Sequence, residues 1–181
     1  GYVMATYFAV LGTGITAFVS MPLRLVWNAS ASLPIGLYDL GPSRDLSVGD
    51  IVAVTPPRRL EDFMVERGYI ARGVPLMKHV AALPGQTVCR LKDIVTVDGM
   101  VLGTALDRDR MGRNLPVWEG CRRIESRSIF LMNAAVRDSL DGRYFGPIPA
   151  GTVIGRAKPI YTDEAGTGDF VWRADTPRTP R

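Results

Sequence analysis

Three short stretches hold the side chains that could do chemistry. The first is Leu76-Met77-Lys78-His79-Val80-Ala81-Ala82-Leu83-Pro84-Gly85, a single lysine in an apolar run that Pro84-Gly85 ends as a turn. This content predicts a strand with both faces at least partly covered. Burial disfavours the charged form of an amine, and a neutral amine is a general base. The plainer reading is a Lys78 that snorkels from a strand edge to water. The second stretch is Trp27-Asn28-Ala29-Ser30-Ala31-Ser32-Leu33-Pro34-Ile35-Gly36-Leu37-Tyr38. Pro34 fixes its own φ and biases Leu33 towards an extended shape, so the segment can present Ser32 rigidly. Its plainer reading is a polar loop. The third, residues 137–146, carries Ser139, Asp141 and Arg143 and then two aromatics. Its generic reading is a surface turn.

A serine hydroxyl is a poor nucleophile until a base takes its proton. A lysine at its free pKa of about 10.4 is protonated near neutrality and cannot serve. Burial can bring it to roughly 7–8, at a cost of about 4 kcal/mol for about 3 units. The apolar neighbours of Lys78 therefore matter, and a second hydroxyl can hold the amine in place. Ser-Lys pairs are a known substitute for Ser-His-Asp. The single histidine, His79, alternates to the strand face opposite Lys78 and receives no catalytic role. One histidine cannot make a multi-histidine metal site, and no metal or cofactor is expected.

The elements that must position these groups are short. The chain has 181 residues, enough for one domain with a sizeable core. Apolar residues make up 46%, which excludes a disordered chain. The 19 glycines and 13 prolines predict many short strands and turns. A net charge of +4 without a Lys/Arg block argues against nucleic acid and fits a membrane surface or a mildly acidic partner.

Residues 2–23 carry no charged side chain, although Gly12 and Gly14 interrupt the run. About 20 apolar residues as a helix span a bilayer, so residues 1–25 are expected to be a transmembrane anchor or a signal segment. Ala29-Ser30-Ala31 has the form of a cleavage site but lies well past the apolar run. A retained anchor, or a cut nearer Ser20, is preferred.

Beyond it, a turn and strand are expected over 48–54 and a short helix over 60–70 with Glu61, Asp62 and Glu66 on its polar side. The lysine strand follows, then alternating strands at 87–91 and 94–97. Asp98-Gly99 signals a tight hairpin before Met100-Val101-Leu102. Residues 104–117 read as a polar surface excursion, 128–133 as a strand and 152–160 as the last strand. Residues 162–181 read as a mobile polar tail. The fold class is mainly β. Cys89 and Cys121 form a disulfide if the chain lies outside the cytoplasm, or stay buried thiols; both readings stand.

Together the three chemical segments resemble the type I signal peptidase superfamily of Ser-Lys peptidases. Met77–Gly85 resembles its lysine strand, and Ser139-Leu140-Asp141-Gly142-Arg143-Tyr144-Phe145-Gly146 its C-terminal box. The serine segment departs from the usual Ser-Met pair followed two residues later by proline, because Pro34 comes one residue sooner. Asn28-x-Ser30-x-Ser32-x-Pro34-x-Gly36-Leu37-Tyr38 is similar instead to the conjugal-transfer branch, the TraF peptidases that mature pilin subunits. Leu115-Pro116-x-Trp118-x-Gly120-Cys121-Arg122 and Phe130-Leu131-Met132-Asn133 share that similarity, which covers most of residues 27–161. The usual Gly-Asp-Asn before the box is altered: Asn133 is followed by Ala134-Ala135-Val136.

The resemblance implies a signal-peptidase-like β-sheet domain over 26–161, with Ser32 as nucleophile and Lys78 as general base. It further implies oxyanion donors in the Ser30 hydroxyl and the Ser32 N–H, Ser139 orienting Lys78, and Asp141 with Arg143 as a supporting pair. Two other readings stay open: Ser30 as the nucleophile, and Asp141–Arg143 as no more than a loop tie. The implied partners are a pilin precursor or another membrane-bound precursor, and the membrane. The catalytic domain would face the periplasm from the inner membrane, or be periplasmic after signal cleavage. The acyl-enzyme would be resolved by water, or by the substrate's own amino terminus to give a cyclic pilin. The alternatives are a general signal peptidase removing leader peptides from secreted proteins, and an inactive anchored scaffold of pilus assembly.

Overall fold

The computed structural model describes residues 2–18 and 24–174. It begins with α1 (Tyr2–Phe18), whose first ten residues are exposed. Among the described residues no helix is long and apolar enough to cross a membrane. The cleavage expected near Ser20 lies outside the described residues.

The remaining elements are β1 (Leu25–Asn28), β2 (Ile35–Gly41), β3 (Ile51–Val54), α2 (Arg58–Glu66), β4 (Leu76–Ala82), β5 (Thr87–Leu91), β6 (Ile94–Val97), β7 (Met100–Thr104), β8 (Gly120–Arg123), β9 (Ser128–Leu131), α3 (Gly142–Phe145), β10 (Ile148–Pro149), a 3-10 turn at Ala150–Thr152, β11 (Val153–Asp163) and β12 (Val171–Trp172). The fold is mainly β, as the sequence implies. One antiparallel sheet runs β1-β2-β11-β3-β4-β9-β10, with β12 on β11, and a second runs β7-β6-β5-β8.

Local chemistry explains most boundaries. β3 and β4 are near-continuous apolar runs because neighbours cover both faces. Asp98 and Gly99 both adopt positive φ (48° and 81°), the twist-matched turn that joins β6 to β7. The helix expected over 60–70 occupies 58–66, buries Met64 and stops where Gly68 turns to positive φ. Val52, Val54, Val80, Ile129 and Leu131 form a core cluster between the sheet and α2. Each such side chain contributes about 1.5–3 kcal/mol when fully buried. Cys89 and Cys121 face each other across β5 and β8 and are joined as a disulfide.

Three sequence expectations are corrected. β11 runs three residues past 160 and gathers β2, β3 and β12 around itself. The segment read as a polar tail from residue 162 contains the end of β11 and, within the described residues to 174, the strand β12. There β12 pairs with Tyr161 and Thr162, and Phe170 stacks on both Trp27 and Tyr161. Residues 137–146 are no surface turn: Ser139, Asp141, Arg143 and Tyr144 are all buried.

Candidate active site

Ser32 lies on the tight connection between β1 and β2. Asn28 builds that connection: its Nδ2 donates to the carbonyls of Ser30 (2.9 Å), Leu33 (3.1 Å) and Pro34 (3.1 Å), while its Oδ1 accepts from the Ser30 N–H (3.2 Å). Tyr38 locks the far side by donating to the Pro34 carbonyl at 2.7 Å. Gly36 is required because a Cβ there would lie 2.2 Å from the Tyr161 carbonyl oxygen, so no other residue lets β2 approach β11 this closely. The Ser30 and Ser32 hydroxyls are 2.7 Å apart. Among the described residues the Ser32 N–H has no hydrogen-bond partner.

Lys78 stands on β4, an interior strand between β3 and β9, with 5% of its surface exposed. Its Nζ donates to Ser139 Oγ at 2.9 Å and to Ser32 Oγ at 3.2 Å. The snorkelling alternative is therefore not what the fold builds. Burial lowers the Lys78 pKa from its ordinary 10.5 to about 8, against an upward pull from Asp141 and with a further push down from Arg143. Among the described residues no carboxylate touches the amine; its partners are hydroxyls, which can accept from the ammonium and donate to the neutral amine.

The C-terminal box closes over this pair. Asp141 caps α3 by accepting from the Arg143 N–H. Its oxygens also accept from Arg143 Nε (2.9 Å), Arg143 Nη2 (2.8 Å) and the Asn133 N–H (3.0 Å). Arg143 spends its other donors on the carbonyls of Asn133, Val136, Arg137 and Thr104. Burial opposes its charge, but the hydrogen bonds and charge of Asp141 outweigh this and hold its pKa above the ordinary value. The pair is thus complete in itself and touches neither hydroxyl of the serine loop. Gly142 sits against β9, where a Cβ would meet the Leu131 carbonyl at 2.6 Å.

Two residues that the sequence singles out only as parts of a pattern prove to be structural anchors. One is Asn28, described above; an asparagine two residues before a serine in a turn is the signal that could have marked it. The other is Asn133, 2% exposed at the end of an apolar strand. Its Nδ2 donates to the Ser32 carbonyl at 2.7 Å and its Oδ1 accepts from the His79 N–H at 2.9 Å. It therefore joins the serine loop, the lysine strand and the box. A lone buried polar side chain ending an apolar run was the clue, since such groups need partners.

Beside Ser32 opens a cleft of about 340 Å³, walled by Leu33, Ile35, His79, Asn133, Val136 and Glu164 among others. Chemically, the arrangement offers a hydroxyl in reach of an amine poised near neutrality, an unpartnered backbone N–H beside it, and a mainly apolar groove for an extended chain. Among the described residues no cluster of three or more metal-ligating side chains occurs.

Residues 1–162 match the family described as "Signal peptidase, peptidase S26". Over 147 residues the chain is 33% identical to "Conjugal transfer protein TraF" of Agrobacterium fabrum (strain C58 / ATCC 33970), covering 75% of this chain and 81% of that one. It is 34% identical over 110 residues to "Probable signal peptidase I-1" of Synechocystis sp. (strain ATCC 27184 / PCC 6803 / Kazusa), covering 61% and 52%. Among solved structures, a signal peptidase I from Enterococcus faecalis V583 matches 62% of this chain and 97% of its own, at 19% identity and a TM-score of 0.38.

Proposed function

The chain belongs to the signal peptidase family, peptidase S26, and from that premise we propose that it is a membrane-associated Ser-Lys endopeptidase that cuts a pilin precursor for a conjugal transfer apparatus. The observation that carries the reading is the buried Lys78 amine held between the Ser32 and Ser139 hydroxyls, at 3.2 and 2.9 Å. Neutral Lys78 takes the Ser32 proton as Oγ attacks the scissile carbonyl carbon. The oxyanion that forms is met by the Ser32 N–H and the Ser30 hydroxyl, donors that act mainly once the charge has developed. Collapse breaks the peptide bond, and the Lys78 ammonium protonates the leaving amine. Water, deprotonated by Lys78, then hydrolyses the acyl-enzyme; the substrate's own amino group could replace it and give a cyclic product. Ser139 orients the amine, and Asp141 with Arg143 holds the box.

Similarity to a protein named for conjugal transfer supports the transfer setting. The uncharged run of residues 2–23 supports a membrane anchor, and the Cys89–Cys121 disulfide suits a domain on the periplasmic side. A second reading, a general signal peptidase, draws on the similarity to the Synechocystis protein.

The test is cleavage of the pilin precursor of the same transfer system, in membranes, by wild type, Ser32→Ala, Ser30→Ala and Lys78→Ala, with product masses measured. Wild type is expected to cut, Ser32→Ala and Lys78→Ala to be inactive, and Ser30→Ala to be slowed. A product one water lighter than the linear fragment reports cyclisation. Full activity in Ser32→Ala would sink the nucleophile assignment in favour of Ser30. Cleavage of secretory precursors but not of the pilin would favour the second reading, and cleavage of neither an inactive scaffold.

A further inference from the structure

His79 takes no part in the mechanism above, yet its ring borders the cleft beside Ser32. Its protonation pattern follows from its neighbours. The Asn133 amide has two backbone anchors. Its Nδ2 faces the Ser32 carbonyl at 2.7 Å, which only accepts, and its Oδ1 faces the His79 N–H at 2.9 Å, which only donates. The amide orientation is therefore fixed. His79 Nδ1 lies 3.1 Å from that same Oδ1. A carbonyl-type oxygen carries no hydrogen, so the proton of this contact is on Nδ1. In the neutral ring the lone pair is then on Nε2. Burial lowers the His79 pKa, the Asn133 hydrogen bond raises it and the Lys78 charge lowers it; the net result is below the ordinary 6.5, so the neutral ring prevails at neutral pH.

Nε2 has no hydrogen-bond partner among the described residues, and it is not among their buried unpartnered atoms. It is a free acceptor with solvent access. The charged groups on the same cleft, Asp163 and Glu164, also present acceptors. Asp163 receives the Thr167 and Gly168 N–H groups, Glu164 receives the Thr162 hydroxyl, and neither is in an ion pair among the described residues. The Asn133 donors are already taken by the Ser32 and Met77 carbonyls. Apart from the Ser32 hydroxyl, reserved for the reacting carbonyl, the polar side chains of this wall therefore present acceptors to a bound chain.

We propose that His79 is a specificity-determining residue, whose Nε2 accepts a hydrogen bond from a donor-bearing side chain of the peptide near the scissile bond. The donor is a hydroxyl, an amide or an ammonium group. Asn133 serves it by holding the ring in the tautomer that leaves Nε2 free. This inference rests on the peptidase reading and adds a substrate preference to it.

The experiment uses the full-length chain and peptides spanning the pilin precursor's cut site. Each residue flanking the cut is replaced in turn by Thr and by Val, which share a shape and differ in one donor. The readout is the Thr:Val ratio of kcat/KM. Wild type is expected to favour Thr at one position by about 5- to 10-fold, the range of one hydrogen bond. His79→Phe and His79→Leu should bring that ratio close to one, and His79→Gln, whose side-chain oxygen also accepts, should keep most of it. A merely structural role for His79 lowers both peptides alike and leaves the ratio unchanged; that result, or a wild type with no Thr-preferring position, overturns the inference. Ser–Ala and Lys–Met exchanges at the responsive position then separate hydroxyl from ammonium as the preferred donor. If wild type leaves the parent precursor intact, the peptidase reading fails first and this inference with it.

Discussion

Lys78 and Arg143 are both sealed inside the same part of the molecule, with 5% and 1% of their surface exposed, and the fold treats them in opposite ways. Arg143 is given a carboxylate, four backbone carbonyls and the end of a short helix. Its charge is fully answered and its pKa is pushed up. Lys78 is given two hydroxyls and, among the described residues, no carboxylate in contact, and its pKa is pushed down to about 8. Burial alone therefore does not make a reactive base. What decides is whether the partners are charged, and the carboxylate whose charge pulls on Lys78, Asp141, is already committed to Arg143 and to the Asn133 N–H. The ion pair protects the lysine from being neutralised by a partner of its own.

The contrast can be broken most severely at Lys78. Lys78→Met should abolish peptide cleavage, a loss of about 10⁴-fold or more, while making the fold more stable. The folded pKa lies below the unfolded 10.5, so the unfolded chain binds more protons between these values, and stability rises with pH from about 8 to 10.5. Below pH 8 the full penalty of about 3 kcal/mol applies. Urea unfolding at pH 7 should show the Met variant gaining up to about that amount. A loss of stability would mean that Lys78 is held as a structural charge like Arg143.

Next in size is the reverse case. Arg143→Met should cost about 3–5 kcal/mol, because Asp141 is left buried and unpaired. Arg143→Lys should recover little, since an ammonium cannot reproduce the two-pronged contact. Thermal unfolding reads both, and a change under about 1 kcal/mol in the Met variant would show that the pair is no prop for the box.

The mildest change tests the environment of the amine. In wild type, kcat/KM should climb about tenfold per pH unit and level off near pH 8, where Lys78 loses its proton. Ser139→Ala should keep that shape, lower the plateau by roughly 10- to 100-fold through the lost orientation of Nζ, and change stability by only about 1 kcal/mol. A variant matching wild type throughout would remove Ser139 from the machinery.

Much of this contrast was legible from residue types. A lysine in an apolar run announces desolvation, and alternation with Asp98-Gly99 announces the β5–β7 meander. Polarity misled at residues 137–146, because a sequence cannot say that Asp141 and Arg143 satisfy each other and the surrounding carbonyls, which lets a polar stretch lie buried. β1 and β2 were missed for another reason: they pair with each other, but β2 finds its second neighbour in β11, more than a hundred residues away in sequence, and no local pattern encodes that pairing. β8 carries three exposed residues and is fixed by its pairing with β5 and the disulfide rather than by hydrophobic alternation. Asn133 stood in the sequence only as the end of an apolar strand; its burial and its three attachments exist only once three distant segments meet.

The sheet order has a consequence for biosynthesis. The hairpin that carries Ser32 is synthesised first, yet its strand β2 is bonded to the rest of the sheet through β11, which is wedged between β2 and β3. Until residue 163 has left the ribosome, the sheet has no seat for the hairpin, and only the contacts of Asn133 and Lys78 tie the serine loop to the rest of the site. The order of translation thus acts as a timer: under the proposed peptidase function, a nascent chain already carrying every chemical group of the candidate site completes that site only when its last long strand is in place.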